Sequence, residues 1–166
     1  MNDSQTTIVN PQCQKLTQRL AESAQKTEEF FRVIEPDQWD LQVYSEGANW
    51  TVRHILAHFV VAEGSIARLI KYILEGLPGV PENFDIDQFN EREVRCFSIM
   101  PVEMILQRFL ERREETIALV SEMVDTDLEK QGRHPWFGIA PVGDMVKLMY
   151  RHNQIHQRDI RKAIAP

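Results

Sequence analysis

Four of the five histidines in the sequence form two His-x-x-x-His pairs, His54 with His58 and His152 with His156. Side chains four residues apart lie one above the other on one face of a helix, so two imidazoles at that spacing reach a single metal ion. Which pair does so depends on the face it occupies. At about 100° per residue, the apolar stripe of Met145, Leu148, Met149, Ile155, Ile160 and Ala163 is centred within about 20° of both His152 and His156. The stripe of Ile55, Phe59, Ala62, Ile66, Leu69 and Ile73 lies about 60° from His58 and about 100° from His54. His58, His152 and His156 are therefore expected to point inward, with His54 at the surface and His134 apart in a loop. Unpartnered imidazoles are costly in a core, and a divalent cation is a partner that three of them can share. Three nitrogens leave one position of a tetrahedral site open to water or substrate, the arrangement of a catalytic zinc rather than a structural one. The competing reading has one histidine hydrogen-bonded in the core and the others on the surface.

Two carboxylates are candidates for an outer shell around that cluster. Asp159 follows His156 by three residues on the inward stripe; it could accept the second ring N–H of a ligand histidine or pair with a neighbouring arginine. Glu63, about 80° from its stripe centre, could be a further ligand oxygen, a general base, or a carboxylate facing solvent. Lys147, Arg151, Arg158, Arg161 and Lys162 flank the second histidine pair, where they either attract an anionic co-substrate or complement a helix C-terminus. No residue is assigned a catalytic role.

Other chemistries are excluded by composition and by missing motifs. Lys and Arg total 19 against 25 Asp and Glu, a formal net charge of −6, which is the wrong sign for neutralising phosphates, so no nucleic-acid partner is expected. Two cysteines, Cys13 and Cys96, are too few for a disulfide scaffold and suit a reducing cytoplasm. The most apolar region, Ile55 to Leu74, is interrupted by His58, Glu63, Arg68 and Lys71 and is not expected to cross a membrane. There is no glycine-rich phosphate loop, Cys-x-x-Cys pair or serine nucleophile elbow.

The elements that must position the histidines are helical, because four segments repeat apolar residues every three or four positions and none sustains a strand-like alternation. The first runs from Pro11 to Ile34 and stops before Pro36. The second starts after Thr51 as N-cap and stops at Gly76-Leu77-Pro78-Gly79. The third starts near Pro101 and carries Met104 or Ile105, Phe109, Thr116, Val120 and Val124 inward, with Arg112, Arg113, Glu114 and Glu115 as a solvated face. The fourth runs from Pro141 to Ala163, after a loop over residues 132–138. The long connection from Gly79 to Met100 holds a short helix after Asp85. The chain reads as one all-α domain, residues 1–166, a four-helix bundle with a long crossover between its second and third helices; residues 1–10 are expected to be a poorly ordered tail.

Several stretches resemble the DinB-like superfamily. Asn49-Trp50-Thr51-Val52-Arg53-His54-Ile55-Leu56-Ala57-His58 is similar to the start of that family's second helix, and Phe84-Asp85-Ile86-Asp87-Gln88-Phe89-Asn90 to its crossover. His152-Asn153-Gln154-Ile155-His156 followed by Ile160-Arg161-Lys162-Ala163-Ile164 is similar to its last helix. The resemblance implies a metal-binding bundle with ligands at His58, His152 and His156, usually zinc or nickel, and often a homodimer. Some relatives are S-transferases or isomerases that use a low-molecular-weight thiol such as bacillithiol or mycothiol. The sequence departs from the family at Asp159, where Gln is frequent, and at His54, where an acidic residue is frequent. Two functions compete. One is a metal-dependent, thiol-dependent S-transferase acting on a small-molecule electrophile through an activated thiol or water. The other is a stress-response or small-ligand-binding module with a structural metal or none.

Overall fold

The structure, a computed structural model, describes residues 10–165. The expected tail over residues 1–10 therefore lies, Asn10 apart, outside the described residues. The helices are α1 (Pro11–Arg32), α2 (Val52–Leu74), α3 (Ile86–Ser98), α4 (Val102–Glu122) and α5 (Val142–Ile164). Their ends follow the punctuation of the sequence. Thr51 has the extended backbone of an N-cap, Gly76 turns the chain after α2 at φ +87°, and the Asp85 carboxylate accepts the Gln88 N–H at 2.9 Å to start α3. Helix α3 extends over thirteen residues, longer than the short helix expected, and it buries only Val94 and Ser98.

One departure from the all-helical expectation is a two-stranded antiparallel hairpin, β1 (Gln131–His134) and β2 (Gly138–Pro141), preceded by a 3-10 turn at Asp125–Glu129. It occupies the expected loop at 132–138. Strands of four residues are too short for alternation to register in the sequence. Gly132 is required there, since a Cβ on it would collide with Ile73. The hairpin also grips the crossover: Val80 N–H donates to Arg133 O at 3.0 Å, and Arg133 N–H to Pro78 O at 2.8 Å. Gly79 makes the crossing with φ +95°, where a Cβ would meet the Arg133 backbone.

Helices α1, α2, α4 and α5 form the bundle. Each of α1 and α2 packs against both α4 and α5, so α1 and α2 face one another across the bundle diagonal, and α3 lies on the outside of α2. One apolar cluster joins the start of α1 and α5 to the end of α2 and α4, around Leu20, Ile70, Val120 and Met145. A second joins the opposite ends, around Phe31, Leu56, Phe109 and Ile160. Thus α1 and α5 run one way and α2 and α4 the other, which is why a long crossover separates the parallel pair α2 and α4. Between the two clusters sits a polar layer that includes Thr27, Glu63, Arg113, Asn153 and Gln157, all buried. Among the described residues, no helix is long and apolar enough to cross a membrane.

Candidate metal centre

His58 comes from the first third of α2, and His152 and His156 from the middle of the neighbouring α5. The Nε2 atom of His152 lies 2.9 Å from Nε2 of His58 and 2.9 Å from Nε2 of His156. Each of the three residues offers a nitrogen within 4.8 Å of the other two, and among the described residues this is the cluster that could hold a metal ion. His54 and His134 stand outside it. His54 is half-buried rather than on the surface, with Nδ1 2.8 Å from the Thr51 hydroxyl at the start of α2. His134 is buried in the hairpin, where its Nδ1 accepts the N–H groups of Trp136 and Phe137 at 3.1 and 3.4 Å.

The hydrogen bonds beyond the ring nitrogens test whether the cluster suits a cation. Tyr44, in the loop before α2, places its hydroxyl 2.7 Å from His156 Nδ1 and 3.0 Å from Asp159 Oδ2. Its single proton satisfies the carboxylate, so the pair is complete only when His156 Nδ1–H donates to Tyr44, which leaves a bare lone pair on His156 Nε2. That lone pair faces His152 Nε2, which itself faces His58 and has at most one proton to give. A cation between the three nitrogens resolves this, and the donor set fits a divalent first-row metal. His58 differs from His156 in that its Nδ1 is buried with no hydrogen-bond partner among the described residues.

Burial keeps the ring nitrogens unprotonated, as metal ligands must be. Desolvation, then the neighbouring imidazoles, pushes His58 well below the usual histidine range. Burial, then His156, lowers His152 to about 3, and burial lowers His156 to about 4. Burial and the Asp159 hydrogen bond raise the Tyr44 phenol, so its proton stays in place. Burial opposes ionisation of Asp159, but the bonds from Tyr44 and Arg158 outweigh it and hold its carboxyl below the usual range.

Of the two expected outer carboxylates, Asp159 reaches His156 through Tyr44 rather than directly, and it also pairs with Arg158 at 3.3 Å and Lys162 at 3.5 Å. Glu63 does not face solvent. It is 2 % exposed, and its two oxygens accept from Arg113 Nε at 2.7 Å and Nη2 at 2.8 Å. Arg113, expected on a solvated face, is 0 % exposed. Its remaining donors go to the carbonyls of Leu20 and Met149 at 3.2 and 3.3 Å. Asn153, oriented to satisfy both partners, accepts from Arg113 Nη2 at 3.2 Å and donates to Met149 O at 3.3 Å. One guanidinium thus ties all four bundle helices together beside His152. Of the alternatives Met104 and Ile105, it is Ile105 that faces inward and is buried, whereas Val124 and Ile155, placed inward by periodicity, are instead substantially exposed. Tyr44 gave no signal in the sequence because it sits in a loop with no periodicity to read.

The histidines form one wall of a cleft of about 270 Å³ between α2 and α5. Trp50 beside them, Phe84 and Phe89 from the crossover, and Trp136 from the hairpin tip supply its aromatic lining. The hairpin and the crossover are bonded to each other, so the cleft has walls on two sides that the bundle alone would not provide.

The DinB superfamily model matches residues 19–160, and with them all three histidines. The chain belongs to the DinB superfamily. No curated protein sequence matches it. Among solved structures it is similar to YfiT from Bacillus subtilis, described as a probable metal-dependent hydrolase with an unusual four-helix bundle topology. That match has TM-score 0.76 and 19% identity over 98% of this chain and 91% of that one. It is also similar to a mycothiol-dependent maleylpyruvate isomerase, with TM-score 0.72 and 12% identity over 92% of this chain but only 62% of the isomerase. A third similar structure is the colibactin self-resistance protein ClbS, determined with double-stranded DNA, at TM-score 0.72 and 12% identity over 92% and 95% of the two chains. At such identities the likeness establishes the fold. For this DinB-superfamily chain, the chemistry rests on its own three histidines and the cleft they line.

Proposed function

We propose that this protein is a divalent-metal-dependent enzyme that transfers a low-molecular-weight thiol to a small electrophile, with His58, His152 and His156 as ligands of one zinc or nickel ion. The observation that carries this reading is one-sided convergence: three ring nitrogens from two helices meet at the wall of a cleft rather than inside a closed shell. A shell completed by Glu63 would favour a structural metal, and Glu63 is instead held by Arg113. A bound divalent ion supplies Lewis acidity, lowering the pKa of a thiol or water so that a nucleophile is available near neutral pH. The chain's own residues hold and orient: Tyr44 and Asp159 fix the His156 ring, while Trp50, Phe84, Phe89 and Trp136 line the cleft that seats an apolar acceptor.

Thiol transfer is favoured over hydrolysis because Glu63, the carboxylate five residues beyond His58 on α2, is clamped by a guanidinium and cannot act as general base towards water. The thiol-dependent isomerase among the similar structures supports the same choice, and the hydrolase description of YfiT supports water as the second reading. Protein purified without a histidine tag is expected to carry one divalent ion per chain. It is also expected to turn over a chlorinated aromatic only with a small thiol and the metal together. Turnover that survives complete metal removal overturns the proposal, and turnover without any thiol moves it to the hydrolase.

A further inference from the structure

The hairpin delivers a further histidine to the cleft. Side chains alternate along a strand, so Gly132 and His134 share the buried face of β1: Gly132 lies against Ile73 of α2, and His134 lines the cleft. Backbone bonds between Arg133 and the crossover residues Pro78 and Val80 fix the strand beside it. His134 is 4 % exposed, and Phe137 packs on its ring with centroids 5.0 Å apart.

The two ring nitrogens of His134 have different roles. Nδ1 accepts the N–H of Trp136 at 3.1 Å and that of Phe137 at 3.4 Å, so it holds no proton of its own. The ring proton is therefore on Nε2, at the edge away from the turn. A second proton would have to sit on Nδ1 against two N–H groups, and burial lowers the ring to about 4, so it stays neutral at pH 7. Nε2–H has no hydrogen-bond partner among the described residues, and a donor so buried is costly unless something in the cleft accepts from it. Other donors are placed differently. No lysine or arginine lines the cleft, and Lys147 and Arg151, which seemed suited to an anionic co-substrate, line a separate groove between α1 and α5. The Ser65 hydroxyl donates to Ala62 O at 3.2 Å, Trp50 and Asn90 are half-buried, and Trp136 is exposed.

A neutral donor also suits the neighbouring metal site. His134 stands near enough to His152 for a charge on it to lower His152 further, so a lysine or arginine in its place would repel a divalent ion on the three histidines. Nε2–H presents the positive end of a bond dipole with no net charge. The ion and the donor therefore act in one sense, both favouring an electron-rich ligand atom in the cleft.

We infer that Nε2–H of His134 donates a hydrogen bond to the acceptor substrate, and that this substrate is an aromatic electrophile with a carbonyl or nitro oxygen conjugated to the carbon that sulfur attacks. The inference rests on the proposed function for the reaction, whereas the donor and its preference for an oxygen-bearing aromatic belong to the cleft with or without a metal. Ionisation of the thiol releases a proton to solvent. The thiolate sulfur bonds to the ring carbon, and the displaced π pair moves on to the conjugated oxygen, where Nε2–H stabilises it. In a chlorinated aromatic the pair then returns to the ring, the C–Cl bond breaks, and chloride leaves with the bonding electrons. His134 keeps its proton throughout.

One arm of the test uses the full chain with chelator present, so that no ligand binds through a metal. Isotope-labelled histidine is expected to show His134 with its proton on Nε2 at pH 7 in NMR spectra. Acetophenone and ethylbenzene, alike in shape but for the oxygen, are then titrated. Both are expected to shift the indole signal of Trp50, and acetophenone alone the Nε2–H signal of His134. His134→Asn keeps an acceptor for the turn, because an Asn side chain accepts the N–H two residues on, but it brings no N–H to the place of Nε2. His134→Gln restores an N–H of similar reach. Acetophenone is expected to bind His134→Asn about three- to tenfold more weakly, with ethylbenzene unchanged and His134→Gln recovering most of the loss.

The other arm uses zinc-loaded protein, a small thiol and chlorodinitrobenzene. His134→Asn is expected to lower kcat about a hundredfold, with KM changed no more than the acetophenone affinity, and His134→Gln to recover part of the rate. Circular dichroism and metal uptake identical to those of the unmodified protein confirm that both variants are folded. A proton on Nδ1, no binding of acetophenone, binding that leaves the His134 signal unmoved or is as tight in His134→Asn, or a kcat unaffected by His134→Asn overturns the inference. A protein without metal or turnover that still shows the acetophenone contrast refutes the proposed function and leaves the His134 donor standing.

Discussion

The hydroxyl of Tyr44 lies 2.7 Å from Nδ1 of His156, joining a loop residue to the last helix across 112 positions of sequence. With Asp159 accepting from the same hydroxyl, the three form a relay that sets which nitrogen of His156 faces the cluster. Removing the phenol oxygen breaks this relay without touching a ligand. Tyr44→Phe is expected to retain one metal ion per chain at saturation but to weaken its binding by about tenfold, within the range known for outer-shell partners of metal-bound histidine. Competition against a chelator of known affinity measures the change, and unaltered affinity would show that the relay does not orient the ring.

His152→Ala and His156→Ala are each expected to abolish stoichiometric metal, and His54→Ala and His134→Ala to leave it in place. The distinction follows from the shared position of His58, His152 and His156, and from the separate partners of His54 and His134. Metal analysis of untagged variants decides it. Loss of metal in His54→Ala as complete as in His156→Ala would mean that a different set of histidines holds the ion.

The Glu63–Arg113 pair is expected to matter for stability far more than a surface ion pair does. Arg113→Met leaves a buried carboxylate without its partner and is expected to cost about 3–5 kcal/mol. The double variant Glu63→Leu with Arg113→Met removes both charges and is expected to recover much of that loss. Urea denaturation of the two variants reads the difference, and a double variant no more stable than Arg113→Met would show that the pair itself, rather than the unpaired charge, sets the cost.

Acid is expected to destabilise the metal-free protein well before its carboxylates protonate. Burial lowers His134 and His156 to about 4 and, with help from His156, His152 to about 3, whereas in the unfolded chain these rings titrate near 6.5. Between those values the unfolded chain binds more protons than the folded one, so stability falls as pH falls from about 6.5 towards 4. Urea midpoints measured across that window check the trend, and His134→Gln is expected to flatten part of it. Metal-loaded protein is expected to release its ion over the same range, because protonation competes for the ligand nitrogens.

Sequence alone determined the four long helices, their caps and stops, the crossover, and the inward phase of His58, His152 and His156. These are local properties: an apolar stripe repeats within one segment, and proline, glycine and capping side chains act on the backbone beside them. The fate of Glu63 and Arg113 was not local. A single stripe defines one inward direction, but α2 is packed by α3, α4 and α5 together, so a residue about 80° from its stripe centre is still buried when another helix covers that side. Tertiary structure likewise decided the hairpin, whose strands are too short to show a period, and the placement of Tyr44, whose partner is distant in sequence. The enclosure of the cleft was decided the same way, because the crossover wall and the hairpin wall meet through backbone hydrogen bonds between residues more than fifty positions apart, which no side-chain pattern encodes.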